Sequence, residues 1–172
     1  MACVLRFVLA AALCLFMLPL HAESNPDWTT SLTPFRIADN LYYVGSRDLA
    51  SYLITSPAGN ILINANVDTS PAQIHDSVEQ LGFHWADTKI FLNSQAHFDH
   101  VGGADQILSE THARNLVMEG DDSIMATGHV DLAFSDDVTT GFTATHVDGI
   151  LHDGSAITLG DPKHAEQRAS LQ

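Results

Sequence analysis

Cysteine is nearly absent from this 172-residue chain, and its two examples, Cys3 and Cys14, both precede Pro19. Long apolar runs are equally scarce. The one extended run, residues 7–18, is shorter than the roughly 20 residues needed to cross a bilayer. Arg6 stands before it, Pro19 breaks it, and Leu20-His21-Ala22 places a small residue just ahead of Glu23. This is the layout of a secretory signal peptide over residues 1–22, cleaved near Ala22. Beyond such a leader no cysteine remains, which excludes a disulfide framework and a thiolate metal site. Any metal must be held by nitrogen and oxygen. Export without disulfides is ordinary in a bacterial periplasm, the expected location, with no membrane attachment after cleavage.

Positive charge is the other shortage. Seven Lys and Arg stand against 21 Asp and Glu, a formal net charge of −14, and loss of Arg6 with the leader takes it to −15. Between Arg114 and Lys163 there is no lysine or arginine, while acids accumulate from Glu119 to Asp161. Such a field repels phosphates and excludes nucleic acid as a partner. Solvated loops and solubility account for the acids without an acidic binding function.

What is present reads as one domain over residues 34–160, after a polar, loosely held arm at 23–33. Phe35, Ile37, Leu41, Tyr43 and Val44 flank the turn-forming Ala38-Asp39-Asn40, which predicts a hairpin. Two more strands, at 52–55 and 61–63, are separated by Ser56-Pro57-Ala58-Gly59-Asn60. Ser70, Pro71 and Gln73 have capping-box spacing at the start of a helix that buries Ile74, Val78 and Leu81 and closes at Gly82. A short apolar strand at 89–92 follows, then a second helix through Ile107 and Leu108 and a strand at 115–118. Residues 121–125 suggest a helical turn and 130–144 mostly loop. Residues 146–151 and 155–159 alternate like a hairpin around Asp153-Gly154. Strands, helix, strand, helix, strand argue for a layered α/β domain with its site at the carboxyl edge of the sheet.

The chemistry concentrates directly after the strand at 89–92, in Asn93-Ser94-Gln95-Ala96-His97-Phe98-Asp99-His100-Val101-Gly102-Gly103. In a tight loop, alternate residues can point to one centre while the adjacent one points to a second. Imidazole and carboxylate suit zinc, and the absence of cysteine favours an open, catalytic type of site over a closed structural one. An open zinc lowers the pKa of its water to about 7, which makes a nucleophile at neutral pH. Asp99 is the candidate to bind metal and to orient that water. His75, His84, His112, His129, His146, His152 and His164 are scattered, and read as surface residues.

These residues carry a resemblance. The stretches PFRIADNLYYVGSRDLASYLI, ILIN with Asp68 soon after, FLNSQAHFDHVGG and ILHDGSAITLG resemble the amino-terminal portion of metallo-β-lactamase-fold hydrolases, in particular subclass B3. The resemblance implies an αββα sandwich, present as its first half with part of the second, and a site for up to two zinc ions. It further implies hydrolysis of the β-lactam amide, hence antibiotic resistance, with a small β-lactam as substrate. Its motif, His-x-His-x-Asp-His, assigns His97 to one zinc and Asp99 with His100 to the other. Gln95 stands where the first histidine is usual, resembling a minority branch that uses the glutamine as a ligand. The family's further zinc histidines, one in a Gly-His-Thr-like turn just beyond the equivalent of Gly160, have no match here. Residues 161–172 read as a polar tail, and the change after Gly160 suggests a shifted or prematurely ended reading frame. Two alternatives stand beside β-lactam hydrolysis: an inactive metal-binding remnant, and a lactonase or thioesterase of the same fold.

Overall fold

The computed structural model describes residues 25–129 and 141–159. The expected leader, the segment at 130–140 and the polar tail lie outside the described residues. Strands β1 (Phe35–Ala38) and β2 (Leu41–Tyr43) turn on Asp39, whose φ of 39° suits a short polar side chain. Strands β3 (Tyr52–Ser56) and β4 (Gly59–Ile63) turn on Pro57-Ala58, with Ser56 paired to Gly59. Helix α1 (Pro71–Gln80) leads to a 3₁₀ turn at Trp85–Asp87 and to β5 (Thr88–Leu92). Helices α2 (Phe98–Val101) and α3 (Ala104–Thr111) precede β6 (Arg114–Met118), and α4 (Asp122–Thr127) precedes β7 (Gly149–Leu151).

All seven strands form one sheet in chain order. The first three pairings are antiparallel and the last three parallel. Helices α1, α3 and α4 pack on one face of the sheet, as sequential strand order with right-handed crossovers would require. There Leu53, Leu62, Phe91 and Val117 of the sheet meet Ile74 and Val78 of α1, Ile107 of α3 and Met125 of α4, all fully or almost fully buried. Phe91 sits at the centre of this core, where truncation to alanine costs about 3–5 kcal/mol. Trp85 closes the layer between α1 and α3. Its Nε1 donates to Glu110 at 2.9 Å, its backbone N donates to Glu79 at 2.7 Å, and its ring stacks on His75 at 5.0 Å.

The opposite face carries a register row of Phe35, Tyr43, Tyr52, Ile63, Leu92 and Leu116. Most of it is half-buried, and Phe35 is 47% exposed. One sheet with helices on one side is half of the expected sandwich. Burial, helped by neighbouring Tyr52 and Asp48, pushes the Tyr43 phenol above its ordinary value. Its hydroxyl donates to the carbonyls of Ser46 and Leu49.

Three local expectations are corrected. The capping box of α1 does not form: Ser70 has helical φ and ψ and its hydroxyl has no partner among the described residues, while Gln73 Nε2 donates to the Gly45 carbonyl at 2.8 Å. The glutamine ties the helix to the β2–β3 connection instead of capping it. The arm is not loosely held over its described part. Asn25 and the Trp28 indole both donate to Asp48, at 2.7 and 3.1 Å, and Arg47 pairs with Asp27. The hairpin over 146–159 is not formed either. Strand β7 finds its partner in β6, in parallel, and residues 155–159 contain no strand. After the turn at Gly154 (φ 77°), Ala156 and Ile157 line a cavity of about 230 Å³ with Ile90 and Leu116 on the sheet's open face.

Candidate metal centre

Strand β5 ends between two parallel neighbours, so its carboxyl end opens onto the edge where α/β sheets place ligands. From Asn93 to His97 the chain stays outside regular structure, and Ala96 is 1% exposed. Ala96 is buried while its neighbours Gln95 and His97 are exposed and half-buried, so the two side chains lie on the open side together. Gln95 Nε2 lies 3.2 Å from His97 Nδ1. His97 then becomes the N-cap of α2: its φ and ψ are extended, and its carbonyl accepts from the amides of His100 and Val101 at 2.8 and 2.9 Å. Asp99 and His100 therefore sit on the first turn of a helix, where the sequence reading expects only a tight loop. His100 Nε2 is 3.6 Å from Asp99 Oδ2, and both side chains are about three-quarters buried (28% and 27% exposed).

Glycines set this short helix against the end of β4. A β-carbon on Gly102 meets the Phe98 carbonyl at 2.5 Å and the Asp68 amide nitrogen at 2.8 Å; on Gly103 it meets the Ala65 carbonyl at 2.9 Å. The Ala65 amide donates to the His100 carbonyl at 2.7 Å, and Asn66 bridges to Val101. Asn64 and Asn66, on either side of Ala65, have left-handed φ values of 66° and 54°. Asparagine is among the few residues that enter this region readily. Asn66 exchanges hydrogen bonds with Ser51 and the Leu49 carbonyl, while Asn64 accepts from the Ser94 amide at 2.9 Å and faces its hydroxyl at 3.2 Å. The Ser94 hydroxyl in turn lies 3.0 Å from His100 Nδ1. The sequence reading gives these two asparagines and Ser94 no role of their own. The only local signal for them is the spacing Asn-x-Asn after the apolar run of β4.

The four candidate ligands thus arrive as two pairs, Gln95 with His97 and Asp99 with His100. All offer nitrogen or oxygen, which fits zinc in kind. In number they fall short: an open zinc site uses three protein ligands, and among the described residues no three His, Cys, Asp or Glu side chains converge. His84, His146 and His152 keep their side chains 80%, 86% and 63% exposed and join neither pair.

Behind α2 lies a cleft of about 840 Å³, lined by Trp28, Asp68, Phe98, Gly102, His129 and Phe142 among others. Trp28 and Phe98 meet there at 5.9 Å, so the arm reaches the helix that carries Asp99 and His100. A second cavity, about 690 Å³, sits at the other end of the sheet by Asn60 and Asp87. Its position at the starts of β4 and β5 separates it from the candidate ligands.

The metallo-beta-lactamase superfamily model matches residues 47–166. Among solved structures, the chain is 47% identical to the FEZ-1 metallo-beta-lactamase from Legionella gormanii, over 77% of this chain and 51% of that one, with a TM-score of 0.74. BJP-1, a subclass B3 metallo-beta-lactamase of Bradyrhizobium japonicum, is 36% identical over 79% and 51%, with a TM-score of 0.75. LRA-12, a class B3 di-zinc metallo-beta-lactamase from an Alaskan soil metagenome, is 43% identical over 82% and 53%, with a TM-score of 0.76. The chain spans about half the length of these structures. The family match covers most of the chain, and the mixed sheet with helices on one face aligns with subclass B3 enzymes; the chain belongs to the metallo-beta-lactamase superfamily.

Proposed function

We propose that this chain carries the strand-end half of a zinc-dependent hydrolase centre whose substrate is the amide of a β-lactam ring. The observation that carries the reading is the Asp99–His100 pair, set on the first turn of α2 with 3.6 Å between carboxylate and imidazole. The similarity to metallo-beta-lactamases, one of them named as di-zinc, supports the substrate class and the metal. Asp99 and His100 would hold one zinc; His97 and the weaker amide donor Gln95 would hold the other. When bound, zinc acidifies water and polarises a carbonyl. The protein's own part is orientation. Asp99 accepts a hydrogen bond from the attacking water, and the rigid seat of α2 keeps the carboxylate at a constant angle to the sheet edge. Export to the periplasm, where β-lactams act, belongs to the same proposal and rests on the composition of residues 1–22.

The test is zinc content and turnover on the purified chain, with a carbapenem, a thioester and a lactone assayed side by side. Zinc-dependent opening of the carbapenem supports the proposal, and preferential turnover of the lactone or thioester moves the chain to another hydrolase of the fold. A second reading, metal binding without turnover, is favoured by the lack of a three-donor group among the described residues. Bound zinc with no hydrolysis of any of the three substrates selects it.

A further inference from the structure

The zinc reading leaves unexplained why Ser94 and Asn64 are bonded as they are. Asn64 is 4% exposed, and its orientation is fixed because Nδ2 donates to the Ala50 carbonyl at 3.2 Å. Its Oδ1 therefore faces Ser94, where it accepts the backbone N–H at 2.9 Å and lies 3.2 Å from the hydroxyl. A serine hydroxyl has one proton to give. Donated to Asn64 Oδ1, it leaves Oγ able only to accept, and the group 3.0 Å away on its other side is His100 Nδ1. The imidazole proton then sits on Nδ1, and two hydrogen bonds form in series. In the opposite tautomer Ser94 must turn its proton towards Nδ1 and give up its bond to Asn64. His100 Nε2–H would then face Asp99 Oδ2 at 3.6 Å, beyond hydrogen-bond length. Two bonds against one decide the tautomer.

We propose that Ser94 and Asn64 are positioning residues: they hold His100 in the Nδ1–H tautomer, so that Nε2 presents its lone pair beside the Asp99 carboxylate. Two acceptors 3.6 Å apart with no proton between them form a ready seat for a cation, which gives this pair its metal-binding character. A histidine ligand whose other nitrogen donates to a fixed oxygen is held in both tautomer and ring angle. The link from Asn64 to His100 joins the end of β4 to the first turn of α2, so sheet and ligand move together. The metal part of this inference rests on the zinc reading; the tautomer does not.

The experiment has two arms on the full chain. Long-range proton–nitrogen correlation spectra of the metal-free protein read the His100 tautomer directly. The unaltered chain is expected to show a protonated Nδ1 and a bare Nε2. Ser94→Ala is expected to release the ring to the Nε2–H form that free imidazole side chains prefer, and Ser94→Thr, which keeps the hydroxyl, to restore Nδ1–H. Asn64→Gly removes the amide while tolerating the left-handed backbone, and is expected to act like Ser94→Ala. In the second arm, competition with a chromogenic chelator measures zinc affinity, expected to fall about 10–100-fold in Ser94→Ala and to recover in Ser94→Thr. An Nε2–H tautomer in the unaltered chain, or a Ser94→Ala variant with unchanged tautomer, overturns the proposal. A chain with the expected tautomers that binds no zinc overturns the zinc reading and leaves the positioning role standing.

Discussion

The two ligand pairs occupy six consecutive residues, yet they are prepared differently. Gln95 and His97 hang from irregular chain and are bonded to each other: the amide nitrogen lies 3.2 Å from Nδ1, so this ring nitrogen is taken up by its neighbour. Asp99 and His100 stand on a helical turn, and His100 is held from behind by Ser94 and Asn64 with its acceptor directed forward. One pair must break a hydrogen bond to take a metal; the other need not. The contrast teaches that ligand identity and ligand readiness are separate properties. The backbone that follows β5 supplies the second property only from Phe98 onward.

The largest expected effect removes the seat that both pairs share. Gly102 has ordinary helical φ, so replacing it with alanine tests sterics alone. The added carbon meets backbone atoms at 2.5 and 2.8 Å, which no rotamer change relieves. Gly102→Ala should destabilise the chain by about 3 kcal/mol in denaturant titration, at the upper end for overpacking, and should weaken metal binding at both pairs. A variant of unchanged stability with intact binding would show that the helix floats free of β4. Next in size, Asp99→Ala should lower zinc affinity by more than about 100-fold, since altering the partners behind a ligand alone costs about 10–100-fold. His97→Ala should cost about 10-fold or less, because that pair begins self-bonded. Equal losses, read by the same chelator competition, would erase the distinction between the pairs.

These differences were legible in the sequence to unequal depth. The strand read at 89–92, observed as Thr88–Leu92, the helices read on either side of it and the candidate cluster Gln95, His97, Asp99 and His100 all rest on local signals: apolar run, turn residues, ligand types. Asn64 does not, since its meaning lies in Ser94, thirty positions away. The same distance explains the other misses. Gln73 looked like a cap because Ser70 is near in sequence, whereas its partner is Gly45, which no spacing rule connects to it. The arm at 23–33 reads as loose because Asp48, which receives both Asn25 and Trp28 in its described part, lies beyond the first hairpin. Alternation at 146–159 indicated extended chain without naming a ladder partner, and β6 offered one in parallel before a hairpin could close. Short-range chemistry picks out the candidate ligands; long-range hydrogen bonds distinguish how each of them is held.

A smaller change should move the first pair towards the second. An imidazole nitrogen is a better donor to zinc than the oxygen of a neutral amide. Gln95→His should therefore raise affinity at the first pair by about 10-fold and leave the second unchanged, as zinc-titration calorimetry would resolve. A single binding event of one zinc per chain, tightened by the substitution, would mean that the two pairs serve one ion and not two.

The smallest effect is also the sharpest. Gln95 is exposed and its amide touches His97, so Gln95→Ala removes that contact from the pair. Stability should stay within about 0.5 kcal/mol, as for surface positions without special roles. Freed of the amide donor at Nδ1, the His97 ring keeps only its intrinsic preference for Nε2–H, and its side-chain nitrogen shifts should move part of the way towards averaged values. His100, whose tautomer depends on Ser94 and Asn64, should show no change in the same spectrum. If both rings respond together, the pairs are coupled through the two residues between the histidines, and readiness belongs to the whole motif. If only His97 responds, Phe98 marks the boundary where extended chain hands over to helix and the ligands become preorganised.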